Sequence, residues 1–282
     1  MSVKLIADSG STKCDWCLVD NKKKNYTTTI GLSPYFLSTS EVEDVLQKEV
    51  VPLSAKKQPG EIWFYGTGMG DLKNVKNLTA TFKKLFPNAE VHVSNDMLGA
   101  AVSACGDSKG VVSILGTGSS SCYYNGKKIV KSRFGIGYIL GDEGSGSYFG
   151  KKVIQHFLYD IFDADLKHKF EEKFHTERNE LIENVYRKPM ANRYLASFTM
   201  FLAENRGHYM IENIIEDGIN DFIHNHLYKF SESWNMPVHF VGSVANGFRD
   251  VIANLCDAAG LELGKIVHKP LDNLIDYHCA RR

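Results

Sequence analysis

Residues 3–16 read VKLIADSGSTKCDW, and the alternation inside them decides the fold. Residues 3–7 are a short apolar run with strand character. Asp8-Ser9-Gly10-Ser11-Thr12 is turn chemistry, a glycine flanked by small hydroxyl and carboxylate side chains. Strand residues return at 14–20 (CDWCLVD), break at Asp20-Asn21 with a Lys22-Lys23-Lys24 tip, and return at 25–30 (NYTTTI). This pattern predicts three antiparallel strands with a Gly/Ser turn between the first two.

Outward from this start, strands and helices alternate. SEVEDVLQKEV (40–50) places Val42, Val45 and Leu46 on one helical face, with Ser40 as N-cap. EIWFYG (61–66) reads as a buried strand. Residues 71–86 carry Leu72, Val75, Leu78, Phe82 and Leu85 in helical step. AEVHVSND (89–96) reads as a strand ending on polar groups, and MLGAAVSAC (97–105) as a small-residue helix. The order is βββαβαβα. The pattern restarts at 110–130 (GVVSILGTGSSSCYYNGKKIV): strand, Gly/Ser turn, strand, Asn125-Gly126 hairpin, strand. Residues 143–233 read as largely helical. PVHFVG (237–242) and KIVHK (265–269) read as strands around a helix at 245–260. Pro270 opens a last helix at 271–280. Two β-meanders with Gly/Ser first turns, at 8–12 and 116–121, make an internal echo. They predict an α/β protein of two related domains: residues 1–110, and 111–269 enlarged by the 143–233 helices, with 270–282 returning to the first.

The 282 residues suffice for two domains of moderate size. The 33 Lys+Arg balance 33 Asp+Glu. That balance excludes a protein whose main work is neutralising nucleic-acid or lipid phosphates. It leaves open a small anionic ligand held by local backbone groups. The N-terminal apolar run, interrupted at Asp8, is too short for a signal-peptide core. The longest apolar stretch, 194–203, is about half a membrane span. A soluble, cytoplasmic protein is expected, with reduced thiols at its six cysteines.

Four polar, glycine-bearing clusters are each read as following a strand: 8–12 (DSGST), 116–120 (GTGSS), 141–146 (GDEGSG) and 242–247 (GSVANG). Glycine lets backbone N–H groups approach a phosphate, and Ser and Thr add donors. No G-x-x-x-x-G-K-[ST] is present, and no G-x-G-x-x-G runs from a strand into a helix. Asp8 sits where a carboxylate can orient Mg²⁺ or its waters, or simply open a turn. Asp96 begins a helix, so it is either an N-cap or a base that takes a hydroxyl proton. Asp142 and Glu143, between glycines, are open to a cleft or start a capped helix. Tyr35 and Phe36 are aromatics in the loop after the third strand. His224 and His226 read as surface or boundary residues, and the Phe/Tyr-rich helices at 153–163 and 194–202 as core.

Taken in order, DSGST-x-x-D, the ND of Asn95-Asp96, LGTGS (115–119), GDEGSG and FVGSVA (240–245) resemble the BadF/BadG-type ATPases and, within them, the N-acetylglucosamine kinases. These belong to the sugar kinase, heat-shock ATPase and actin superfamily. The resemblance spans essentially the whole chain. It implies two ribonuclease H-like (actin-like ATPase) domains with ATP and sugar in the cleft between them. Asp8, Gly10, Ser11, Thr12 and Lys13 would meet ATP from the first loop. Gly116, Thr117, Gly118 and Ser119 would meet it from the second, and Gly242, Ser243 and Val244 would pack on adenosine. Asp96 would be the catalytic base. Ser33, Tyr35, Asp96, Thr117, Gly118, Ser120, Asp142 and Gly146 would line the sugar. Mg²⁺ would sit near Asp8, partly through water. The implied partners are ATP and an amino sugar, with no nucleic acid and no membrane; a homodimer is left open.

The chain departs from that pattern twice. The family's sugar-contacting Asn after the third strand is absent from Gly31-Leu32-Ser33-Pro34-Tyr35-Phe36. The family's GTGSN ends here in Ser120. N-acetylglucosamine is the first expectation, with N-acetylmuramic acid or another sugar as alternatives. A non-catalytic sugar-binding relative is a further alternative. So is an ATPase activator with an iron–sulfur cluster, but Cys14 and Cys17 are three apart on a strand and so face opposite ways.

Overall fold

The computed structural model describes residues 2–54 and 57–280. The chain forms two compact units. One takes residues up to 108 with 126–128 and 269 onward; the other takes 109–125 and 129–268.

The first unit opens with β1 (Lys4–Ser9), β2 (Lys13–Asp20) and β3 (Lys23–Ile30), an antiparallel meander. Then come α1 (Thr39–Val45), β4 (Glu61–Gly66), α2 (Leu72–Leu85), β5 (Glu90–Asn95) and α3 (Asp96–Cys105). The sheet order is β3-β2-β1-β4-β5, with β4 and β5 parallel to β1. Local chemistry sets the element ends. Ser38, not Ser40, caps α1: its hydroxyl accepts from Glu41 N while Glu41 answers to Ser38 N, a capping box. Asp71 caps α2. Leu78 and Phe82 are buried on α2, but Leu72, at its first turn, is 74% exposed. The core gathers around Trp16, whose ring meets Phe64 and Phe82 while its indole N–H donates to Thr29 Oγ1 at 3.0 Å. The indole therefore buries its ring without orphaning its donor.

The second unit repeats the plan. β6 (Gly110–Leu115), β7 (Ser119–Tyr124) and β8 (Ile129–Arg133) form a meander. A helical run follows: α4 (Gly137–Leu140), α5 (Gly146–Leu158), α6 (Ala164–Phe174), α7 (Arg178–Tyr186), α8 (Ala191–Ser197), α9 (Thr199–Glu204) and α10 (Tyr209–Asn225). β9 (Val238–Val241), α11 (Ser243–Gly247), α12 (Arg249–Ala258) and β10 (Leu263–Val267) complete the unit. The sheet order β10-β9-β6-β7-β8 matches the first sheet strand for strand, β9 and β10 again parallel to the opening strand. The internal echo in the sequence is thus a repeated topology. The Phe-rich helices supply the core of this unit through Phe149, Phe170, Phe198, Phe201 and Phe222. Finally α13 (Pro270–Ala280) packs against α3 and β1 of the first unit.

One cluster departs from its expected place. The 141–146 cluster follows the single-turn helix α4, not a strand, and α4 carries Ile139 and Leu140 largely exposed. No disulfide joins any of the six cysteines among the described residues. Cys14 lies in the core of the first unit, whereas Cys17 meets Tyr26 on the other side of β2. Among the described residues no helix is long and apolar enough to cross a membrane.

Candidate functional site

In the first unit the parallel register aligns the carboxyl ends of three strands. Ser9 pairs with Gly66, and Gly66 with Asn95. The residues that follow, Gly10, Thr67 and Asp96, leave the sheet along one edge, where parallel α/β sheets bind ligands. Asn95 caps α3, its Oδ1 accepting from Leu98 N at 2.8 Å. The N-cap reading of Asp96 is therefore corrected: the preceding residue does that job, and the Asp96 carboxylate is released for other work. Its Oδ1 accepts from its neighbour Met97 N at 2.9 Å, and its Oδ2 from the Thr67 hydroxyl at 2.7 Å. Burial raises its pKa, and these two donors, with the N–H of Asp96 itself, oppose the rise.

Asp8 lies at the same edge on β1, with β4 between it and the end of β5. Burial, then the carboxylates of Asp96 and Asp15, push it up to about 7 against the pull of Lys13. It keeps partial surface exposure, yet enough protein surrounds it for desolvation to dominate. Lys13 is drawn to Asp15 at 2.7 Å, and Thr28 donates to the other oxygen of Asp15 at 2.9 Å. The Gly10–Thr12 turn is held from behind. Gly31 N donates to Thr12 O at 3.1 Å, and Leu32 N to Ser9 Oγ at 3.0 Å. A Cβ at Gly31 would fall 2.2 Å from Gly10 O, so only glycine lets the two loops touch. Beyond it Ser33 is fully buried, with its Oγ unpartnered, and Tyr35 is 71% exposed. Pro34 and the Tyr35 ring lie against Gly68.

The second unit presents the equivalent edge. Gly116 N donates to Gly118 O at 3.0 Å, closing the β6–β7 turn. The start of α5 is pinned to this turn: Gly146 N donates to Gly116 O at 2.8 Å and Ser147 N to Thr117 O at 3.0 Å. Ser145 caps α5 by accepting from Tyr148 N. Asp142 sits just before, at φ 58°, a backbone conformation unfavourable for a side chain with a Cβ. It is more buried than an open-cleft carboxylate, at 9% exposure. Backbone N–H groups of Gly137 and Ser119 donate to it and partly offset the rise in pKa that burial imposes. A Cβ at Gly118 would stand 3.0 Å from Asp142 Oδ2, and one at Gly135 2.3 Å from Oδ1, so this carboxylate is seated between two glycines. The Ser119 hydroxyl is buried without a partner, and Ser120 is partly exposed. Gly242, at φ 122°, brings β9's end against Leu115 O, 2.4 Å from where its Cβ would be. Of its neighbours, Ser243 is exposed but Val244 is built into the core, which leaves little of Val244 to meet a ligand.

The profile of the BadF/BadG/BcrA/BcrD ATPase family matches residues 7–267. The chain belongs to that family. A solved structure from Porphyromonas gingivalis, described as a candidate N-acetylglucosamine kinase, is 35% identical, with TM-score 0.94 over 98% of this chain and 99% of that one. A second candidate N-acetylglucosamine kinase, from Chromobacterium violaceum, is 14% identical, with TM-score 0.72 over 98% and 99% of the two chains. A ROK family glucokinase from Streptomyces griseus, in complex with glucose and AMPPNP, is 14% identical with TM-score 0.60 over 97% and 98%. These last two share the fold. No curated protein matches this family member in sequence.

Three contributors escaped the sequence reading. Thr67 belongs to a further cluster, Gly66-Thr67-Gly68-Met69-Gly70, which follows β4 as 242–247 follows β9; the repeat itself was the signal. Gly137 donates to Asp142 through its backbone, which no side-chain pattern reveals. His226 is buried, not a boundary residue. Its ring stacks on Phe222, its Nδ1 lies 3.1 Å from Ser121 Oγ and its Nε2 3.7 Å from Glu143. His224 is exposed, as its helical position predicts.

Proposed function

We propose that this chain transfers the γ-phosphoryl group of ATP to the 6-hydroxyl of an N-acetylated amino sugar, N-acetylglucosamine first among them. The observation that carries the reading is Asp96: a carboxylate freed from capping, anchored on both oxygens, at the strand edge it shares with Asp8. The 35% identity to the P. gingivalis chain supports it.

In this reading Asp96 takes the proton of the sugar 6-hydroxyl as that oxygen bonds to the γ-phosphorus. The bond from the γ-phosphorus to the β,γ-bridging oxygen breaks, and ADP leaves. Burial raises the pKa of Asp96, which makes its carboxylate a stronger base for that proton. Backbone N–H groups and hydroxyls of Gly10, Ser11, Thr12, Lys13, Gly116, Thr117, Gly118 and Ser119 orient the phosphates. Gly242, Ser243 and Val244 border the adenosine. Ser33, Tyr35, Ser120, Asp142 and Gly146 take the sugar. Asp142, held by Gly137 and Ser119, presents an oriented acceptor to a sugar hydroxyl.

Among the described residues no group of three or more His, Cys, Asp or Glu gathers as a metal cage. Magnesium needs none, because it keeps several waters and uses one or two carboxylates with substrate phosphates. Asp8 fits that role, and bound Mg²⁺ would supply charge neutralisation to the phosphates. The cation's positive charge would favour the ionised form of Asp8 against burial and the neighbouring carboxylates. In this reading the setting is cytoplasmic and the thiols stay reduced.

A second substrate reading rests on Pro34-Tyr35-Phe36 and Ser120. With the exposed Tyr35 ring where the family carries an amide, N-acetylmuramic acid or another sugar fits the same chemistry. The test of the base is Asp96→Asn. ADP release with N-acetylglucosamine should fall by roughly 10²–10⁴-fold, while calorimetry still shows nucleotide and sugar binding. An unchanged rate removes Asp96 from the reaction.

A further inference from the structure

The Asp96 carboxylate is also oriented by Thr67, which holds no place among the catalytic and ligand-binding residues proposed above. The Thr67 hydroxyl approaches Asp96 Oδ2 at 2.7 Å and Ser9 O at 3.5 Å. A hydroxyl has one proton to give, and the short, charge-assisted bond to the carboxylate takes it. Thr67 is itself fixed, because its backbone N–H donates to Ser9 O at 3.0 Å. The register places it there: Gly66 pairs with both Ser9 and Asn95, so the next residue of β4's end lies between the ends of β1 and β5. Met97 N holds the other oxygen from α3. Donors from two different elements thus hold this carboxylate: the Thr67 hydroxyl from the end of β4, and Met97 N with the N–H of Asp96 itself from the first turn of α3.

We propose that Thr67 is a positioning residue for Asp96. Its hydroxyl locks the plane of the carboxylate so that the remaining lone pairs meet the substrate hydroxyl in a reactive alignment. The proposal rests on the reading of Asp96 as base. It assigns Thr67 no contact with sugar or nucleotide, so its loss acts on the chemical step and leaves binding alone.

The test compares Thr67→Val, Thr67→Ser and Asp96→Asn in ADP release with MgATP and N-acetylglucosamine. Valine keeps the volume and removes the hydroxyl; serine keeps the hydroxyl and removes the methyl. The expected result is a kcat lowered about 10- to 100-fold in Thr67→Val, with KM for both substrates within about threefold of the parent. Thr67→Ser should return kcat to within about threefold. The double variant Thr67→Val with Asp96→Asn should be no slower than Asp96→Asn alone, because the two act as one unit. If Asp96→Asn is inactive while Thr67→Val keeps the parental kcat, the positioning role is overturned and the base reading survives. If Thr67→Ser is as slow as Thr67→Val, the methyl group's packing matters and the hydroxyl does not, which also overturns it. If Asp96→Asn keeps full activity, the base reading and this inference fall together.

Discussion

Asp8→Asn separates function from stability at the proposed phosphate edge, and its effect can be worked out with sign. An unperturbed aspartate ionises near 3.9, whereas burial, Asp96 and Asp15 push Asp8 up to about 7. A carboxyl whose pKa is raised on folding resists ionisation in the native state. Below about pH 4 the group is neutral both folded and unfolded, and costs nothing. Between about pH 4 and pH 7 the unfolded chain releases the proton and the folded one holds it, so stability declines as pH rises; above about 7 the penalty is complete. A gap of roughly three pH units corresponds to about 4 kcal/mol as a ceiling. Partial exposure of Asp8 screens this, and about half is a fair expectation. Asparagine cannot ionise, so the variant should unfold about 4–8 °C higher than the parent at pH 8 without Mg²⁺ or nucleotide. At pH 4 the two should unfold together. Calorimetry across pH 4 to 8 in chelator reads the difference directly. A difference that does not grow with pH, or a variant less stable at pH 8, refutes the electrostatic argument. The same variant should lose most of its ATP-dependent activity.

Gly118→Ala places a Cβ 3.0 Å from Asp142 Oδ2, so the carboxylate must give by a few tenths of an ångström. We expect KM for the sugar to rise about tenfold, roughly 1.4 kcal/mol, with ATP binding less affected; titration of each ligand checks this. Gly150→Ala drives a Cβ to 1.7 Å from Leu195 O, backbone that cannot swing aside, where α5 crosses α8. It should cost about 3 kcal/mol or more and appear as a lowered unfolding midpoint with a normal midpoint in a Gly247→Ala control, where a Cβ meets nothing.

The fold was legible because the strand signals are strong and occur twice. DSGST and GTGSS fall between β-type runs, and the matching sheet orders follow from that repetition. Apolar period placed Leu78 and Phe82 inside but misplaced Leu72, because α2 begins there and its first turn projects past the core. The cap at Ser38 was missed in favour of Ser40 because both are serines before a helix; Glu41, three residues after Ser38, was the deciding signal. At the candidate site, Asp96 was visible but its freedom was not. Whether Asn95 or Asp96 caps the helix is a matter of one residue's backbone angles. Thr67 reaches Asp96 only through parallel register across 29 positions of sequence, which local pattern does not record. Likewise His226 was read from its two-residue spacing to His224, whereas its burial comes from Ser121 on a distant strand.

Sugar phosphorylation with Asp96 as base is tested by the stoichiometry of its products. The purified chain is incubated with MgATP and, separately, N-acetylglucosamine, N-acetylmannosamine, N-acetylmuramic acid, glucosamine and glucose, and ADP and phosphosugar are quantified. Equal amounts of ADP and sugar 6-phosphate are expected, with an N-acetylated sugar far ahead of glucose and the rate lowered roughly 10²–10⁴-fold in Asp96→Asn. ADP release that no sugar stimulates, or nucleotide binding with no turnover on any of them, would contradict it.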